Sequence, residues 1–194
     1  GAIMLAIATD YVQSTGDPSP YLQRIADAGF SHVHWCHQWN SDFLYSISEI
    51  AQIKRWLTTF HLHLLDLHGS AGQEKCWFSE KEYERRAGVA LVKNRIDMTA
   101  RLGGDAVVMH IGQNDSSALR RSLDEIMPFA RRCGIKLAIE NGFSCGPFSV
   151  LERLLAAYPK DYLGICYDSG HGNLTGDGME GLCACAERLV CVHL

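Results

Sequence analysis

Five times along this chain a short apolar run closes on a residue that can bind a proton or a metal ion: His68, His110, Glu140, Asp168 and His193. Between these runs lie stretches with apolar residues at helical spacing, such as Ile47, Ile50, Ile53 and Leu57, or Val89, Val92, Ile96 and Ala100. Strand and helix alternating in this way predict βαβ units and a parallel sheet. Side-chain parity narrows the choice further. Ala106, Val108 and His110 share one face of the fourth run, and Val107, Met109 and Ile111 share the other. In the same sense Ala138 and Glu140 oppose Leu137 and Ile139, and Gly164, Cys166 and Asp168 oppose Ile165 and Tyr167. Cys191 and His193 oppose Val190, Val192 and Leu194. The polar terminal residue shares the face with the smaller side chains each time. A closed barrel has a narrow interior and a broad, helix-covered exterior, whereas an open doubly wound sheet packs helices on both faces. The expected fold is therefore α/β, a (β/α)8 TIM barrel.

Taken in order, strands are expected over Ala2 to Thr9, Ser31 to Trp39, Leu62 to His68, Ala106 to Ile111, Lys136 to Asn141, Leu163 to Tyr167 and Val190 to Leu194. Ser19-Pro20 starts the first helix, Gly29 ends it, and the second helix is expected over Asp42 to Thr59. Pro128 should bend or interrupt the helix that Gly134 caps, and Gly170 and Gly172 should hold His171 in a tight turn. That makes seven strands in a single domain over 1–194, with the eighth unit of the barrel missing. The first and seventh strands are then open edges.

The net charge of −4 gives no electrostatic push toward nucleic acid or an anionic membrane. No apolar run is long enough to cross a bilayer, and the N-terminus lacks the layout of a signal peptide. Eight cysteines without a C-x-x-C pair, two of them (Cys166 and Cys191) inside strands, point to free thiols in a reducing cytoplasm.

Glu140, Asp168 and His193 end successive strands on the inward face, so they should meet at the C-terminal mouth. Two carboxylates and an imidazole converging in a partly enclosed site repel one another unless a cation lies between them. A divalent metal held by these three is the expectation, and mixed oxygen and nitrogen donors suit manganese, magnesium, zinc or iron. His68 and His110 reach the same rim and His171 overhangs it. Trp35 and His37 approach from the second strand, where they wall a substrate or simply pack. His32, His34, His61 and His63 lie near strand starts and read as structural.

The segments Y-L-Q-R-I-A-D-A-G-F near the start, D-L-H-G at His68, V-V-M-H-I-G at His110, G-I-K-L-A-I-E-N-G at Glu140, Y-D-S-G-H at Asp168 and V-C-V-H-L at His193 resemble the xylose isomerase-like TIM barrels. That superfamily includes sugar phosphate isomerases and epimerases, inosose dehydratases, hydroxypyruvate isomerases and endonuclease IV. The resemblance covers essentially the whole chain. It implies an isomerase or epimerase acting on a small sugar, polyol or hydroxy-keto acid, with one divalent ion (Mn, Mg, Co or Zn) on Glu140, Asp168 and His193. Catalytic roles would fall to Glu140 as base and His171 beside the oxyanion, and substrate contacts to His68, His110, His171 and Trp35. A homo-oligomer is implied by family habit.

Two departures stand out: the family's fourth ligand, a glutamate on the eighth strand, lies beyond Leu194, and Gly146 occupies the place of a second glutamate of the ketose 3-epimerases. The alternative is an endonuclease IV-like zinc phosphodiesterase acting on abasic DNA, in which His68, His110, Glu140, Asp168, His171 and His193 match positions of a three-zinc cluster. Against it, the mouth loops Asp10 to Pro20, Cys36 to Asp42 and Gly69 to Phe78 offer only Lys75 to phosphate, so nucleic acid is not the favoured partner. A metal-free or inactive sugar-binding barrel is the third reading.

Overall fold

The computed structural model describes residues 4–11, 17–36, 44–69, 74–142 and 147–194. His37, Gly146, the start of the expected first strand, the end of the expected second strand and the first residues of the expected second helix lie outside the described residues. Among the described residues seven strands form one sheet: Ala6–Ala8 (β1), His32–Trp35 (β2), His63–His68 (β3), Ala106–Met109 (β4), Lys136–Glu140 (β5), Leu163–Asp168 (β6) and Leu189–His193 (β7). They stand in chain order and each is parallel to the next. Among the described residues the helices are Ser19–Asp27 (α1), Ile47–Thr59 (α2), Glu82–Leu102 (α3), Ser117–Cys133 (α4), Phe148–Ala157 (α5), Ser169–Thr175 (α6) and Gly178–Cys185 (α7). None of them is long and apolar enough to cross a membrane.

The sheet is curled into a barrel wall. In a flat sheet β2 and β7 would stand about 24 Å apart, at about 4.8 Å per strand. Instead the rings of His34 on β2 and His193 on β7 lie 4.7 Å apart, centroid to centroid. The two faces of the wall carry different cores, as parity required. Val107, Met109, Leu137, Ile139, Leu163, Ile165 and Tyr167 point outward and join Val92 and Ile96 of α3, Leu123 and Ile126 of α4 and Leu154 of α5. Val108, Ala138 and Cys166 point inward and form a separate small cluster with Val190 and Cys191.

Val190 was expected on the outer face with Val192. A register shift between β6 and β7 at Ile165/Cys166 turns it inward, while Val192 remains 45% exposed. Gly164 makes room for it: a Cβ there would stand 2.4 Å from a Val190 methyl and 2.7 Å from the Arg188 carbonyl. A second shift, between Val33 and His34, pairs Val33 with Leu64 but His34 with Asp66. The extra residue in β3 lets both Leu64 and Leu67 enter the outer core while Asp66 faces His34.

Local sequence explains most element ends, with three corrections. The second helix starts at Ile47, because Ser46 and Glu49 form a capping box there. The helix α4 runs through Pro128 to Cys133 without a break, and Gly134 ends it at φ 68°. The glycines around His171 are not in a left-handed turn; Ser169–Thr175 is helical, with Asp168 as its N-cap. Gly172 is required by contact instead: a Cβ would meet the Tyr167 hydroxyl at 2.7 Å and Gly178 Cα at 3.0 Å, where α6 turns against α7.

Candidate active site at the barrel mouth

Glu140, the last residue of β5, has a side chain only 3% exposed and is met by imidazoles from three other strands. The Nδ1 of His193, at the end of β7, donates to Oε1 at 2.8 Å. The Nε2 of His110, just after β4, lies 3.0 Å from Oε2, and that of His68, ending β3, lies 3.3 Å from the same oxygen. His171 stands further off, its Nδ1 4.0 Å from Glu140 Oε1 and 3.7 Å from Asp168 Oδ1. Its backbone N–H donates to Asp168 Oδ1 at 2.7 Å, and its ring Nδ1 donates to the Asn141 carbonyl at 2.9 Å. A carbonyl can only accept, so this contact places a proton on Nδ1.

Burial alone would raise the Glu140 pKa, but hydrogen bonds from His110, His193 and His68 outweigh it and hold the carboxyl far below its usual range. Burial works to lower the His193 pKa; the bond to Glu140 and the charges of Glu140, Asp66 and Asp168 overcome it and raise the value. Asp66 shows the same contest: burial pushes it up, the His34 partner pulls it down, and the net shift is downward.

Sequence reasoning placed Glu140, Asp168, His193, His68, His110 and His171 at this mouth, and the structure brings all six together. Trp35 does not join them. It is 1% exposed, lies in the outer core and donates its indole N–H to the Tyr45 hydroxyl at 3.2 Å, because parity puts it opposite His34. Three supporting residues were missed. His34, read as structural, is buried against Asp66 at 2.7 Å and lies edge-on to His193 and to His68. Asn141 joins the ends of β5 and β6: its Nδ2 donates to the Asp168 carbonyl at 3.0 Å and its Oδ1 accepts from the Asp168 N–H at 2.7 Å. Trp77 donates its indole N–H to the His110 carbonyl at 2.9 Å. An asparagine directly after Glu140 was the only one of these signals visible in the sequence.

Among the described residues, three sets of side chains have ligand atoms within 4.8 Å of one another: His68, His110 and Glu140; Glu140, Cys166 and His193; and Glu140, Asp168 and His171. Glu140 is common to all three. The expected trio of Glu140, Asp168 and His193 is divided between two of them. Nitrogen and oxygen donors packed this closely fit a divalent cation, and two buried ring nitrogens, His110 Nδ1 and His193 Nε2, find no hydrogen-bond partner among the described residues.

The "uncharacterized protein y4fM" of Sinorhizobium fredii (strain NBRC 101917 / NGR234) is 28% identical over 207 residues, covering 89% of this chain and 67% of that protein. Apo 3-keto-D-glucoside 4-epimerase YcjR from E. coli shares the fold with a TM-score of 0.78 at 15% identity, over 99% of this chain and 78% of the epimerase. D-psicose 3-epimerase, crystallised in the presence of D-fructose, gives 0.78 at 20% identity, over 98% of this chain and 72% of its own. At these identities the structural likeness speaks for the fold. The family profile described as "Xylose isomerase-like TIM barrel" matches residues 22–194. Spanning so much of the sequence, that match shows that the chain belongs to the xylose isomerase-like TIM barrel family.

Proposed function

We propose that this chain is a divalent-metal-dependent isomerase or epimerase acting on a small sugar, polyol or hydroxy-keto acid. The observation that carries this reading is the convergence of three potential ligand sets on the single carboxylate of Glu140. The sugar epimerases among the structural neighbours support the substrate class.

Glu140, Asp168 and His193 would hold the cation. When bound, such an ion acidifies the C–H between a carbonyl and its neighbouring hydroxyl and stabilises the resulting negative charge. His171, its ring orientation set by the Asn141 carbonyl, steadies the oxyanion. His68 and His110 present partly exposed rings to the substrate. While His193 donates to it and the rings of His68 and His110 stand against its other oxygen, Glu140 is a weak proton acceptor; it serves as base only once these contacts are given up.

One observation favours a second reading. Three overlapping donor sets match a site for several ions, as an endonuclease IV-like phosphodiesterase would need. Metal analysis combined with incubation of ketoses in D2O separates the two. One ion per chain, with deuterium entering the carbon beside the carbonyl and lost in Glu140→Gln, is the expected result. Three zinc ions and cleavage of an abasic oligonucleotide would favour the phosphodiesterase, and no bound ion would leave a metal-free sugar-binding barrel.

A further inference from the structure

A second pair of imidazoles stands at the opposite end of the barrel wall. His32 opens β2 and His63 opens β3, and the two are Cα partners in the sheet. Their neighbours Val33 and Leu64, also partners, point into the outer core, so both histidines stand on the inner face at the N-terminal ends of their strands. Glu140, Asp168 and His193 close their strands at the other end. The rings of His32 and His63 lie 5.3 Å apart, centroid to centroid, with an interplanar angle of 36°. His63 is exposed and His32 half-buried. The Ser31 hydroxyl meets His32 Nδ1 at 2.9 Å, and Ser31 and His32 line a cavity of about 400 Å³.

A histidine at a strand start is most often a solvated or hydrogen-bonded residue, and either ring alone carries no more than that reading. The pair carries more. An imidazole nitrogen binds zinc at about 2.0–2.1 Å, which puts the ring centre about 3.2 Å from the ion, and two rings on one tetrahedral ion then have centres about 5.2 Å apart. The observed 5.3 Å is close to that spacing. The Ser31 contact is a second, independent feature. When His32 Nδ1 donates its proton to the Ser31 hydroxyl, Nε2 is left as the unprotonated nitrogen, and a ligating imidazole is commonly fixed in tautomer and orientation by such a bond.

We propose that His32 and His63 form a second metal site, a two-histidine site for zinc, copper or nickel at the foot of the barrel, with water completing the coordination from the open side. Both rings bind as neutral imidazoles. Imidazole donors select these ions over magnesium and manganese, which favour oxygen. Two protein donors hold an ion less tightly than the three at the mouth, so the site fills in metal excess. The inference does not rest on the isomerase reading, since neither histidine belongs to the mouth.

Equilibrium dialysis against excess zinc counts the ions. The unmodified protein should bind one zinc per chain more than His32→Gln and His63→Gln. His61→Gln, which removes an exposed histidine two residues before His63, should bind as many as the unmodified protein. Dialysis against magnesium should give the same count in every variant. Imidazole 15N spectra of the unmodified protein test the site without substitution: zinc should shift the His32 and His63 signals together, over one range of zinc concentration, and leave His61 in place. Equal zinc counts in every variant, or His32 and His63 responding over different ranges, overturn the site. Loss of an ion from His61→Gln overturns it as well, by marking loose binding to exposed histidines at large.

Discussion

Ser122 provides the cleanest test of how the mouth is held in place. It sits on α4 with no exposed surface, accepts a hydrogen bond from Arg85 Nη1 at 3.1 Å and donates to the Trp77 carbonyl at 2.5 Å. Trp77 in turn anchors the His110 carbonyl, and His110 stands 3.0 Å from Glu140, so a relay runs from α3 and α4 to the centre of the site. Ser122→Ala removes one oxygen and almost no volume, which leaves the cavity contribution negligible. Arg85 keeps its bonds to Glu82 at 2.7 Å and Glu125 at 3.3 Å, so its charge is not stranded. The Trp77 carbonyl loses this buried donor, at a cost of about 1–3 kcal/mol. With a urea m-value of about 2–3 kcal/mol/M, a loss near 2 kcal/mol lowers the midpoint by about 0.7–1 M. Ser116→Ala, on the same helix, removes only the N-cap that accepts from the Leu119 N–H at 3.1 Å and should cost about 1 kcal/mol. Urea melts followed by tryptophan fluorescence give the stabilities, and zinc titration gives the affinities. The relay requires Ser122→Ala to weaken zinc binding while Ser116→Ala leaves it unchanged. Equal affinities in the two variants, or a midpoint shift below about 0.2 M for Ser122→Ala, would refute it.

Gly88→Ala should destabilise the fold by about 1–3 kcal/mol even though alanine is the better helix former by about 1 kcal/mol. The new Cβ would stand 2.1 Å from the Trp77 nitrogen and 2.5 Å from the Cys76 carbonyl carbon, both backbone atoms that cannot rotate away; a variant melting at or above the parent would show that this loop yields freely. The metal-stripped protein should be most stable between about pH 4.5 and 6.5. Glu140 and Asp66 have folded pKa values below their unfolded ones, so their contribution is complete above about pH 4.5 and falls away as pH drops through the folded values. His193 has a raised value, so its contribution is complete below about pH 6.5 and is lost as pH climbs through the folded value. Melting temperature against pH checks both limbs, and a protein that grows more stable from pH 6.5 to 8 contradicts the second.

Most of the fold was legible because a barrel wall is read one strand at a time. Val107 and Val108, adjacent in sequence, fall into different cores, and alternation alone assigns them correctly. What alternation could not supply was relative register. Val190 faces inward only because β7 slips against β6, and Asp66 faces His34 only because β3 holds an extra residue. Neither slip leaves a mark within a single strand. The helix across His171 was misjudged for a related reason: Gly170 and Gly172 looked like turn residues, but Gly172 is needed for its missing side chain, a requirement set by Tyr167 and Gly178 in three dimensions.

The site divides in the same way. The residues at the strand ends were visible in sequence, because a polar group closing an apolar run on the inward face has few other destinations. Of their supports only Asn141, directly after Glu140, left a signal; His34 and Trp77 did not, because each acts across strands or through a loop. The geometry that joins them also sets an internal conflict. Without an ion, the buried carboxylate of Glu140 is balanced by the His193 N–H that donates to it and by the nearby rings of His68 and His110. A cation that takes His193 and Glu140 as ligands must separate atoms now 2.8 Å apart and partly dismantle that balance. Ion binding is therefore weakened by whatever the hydrogen-bonded cluster contributes to the metal-free protein. Glu140 is the residue through which a change made for stability becomes a change in affinity.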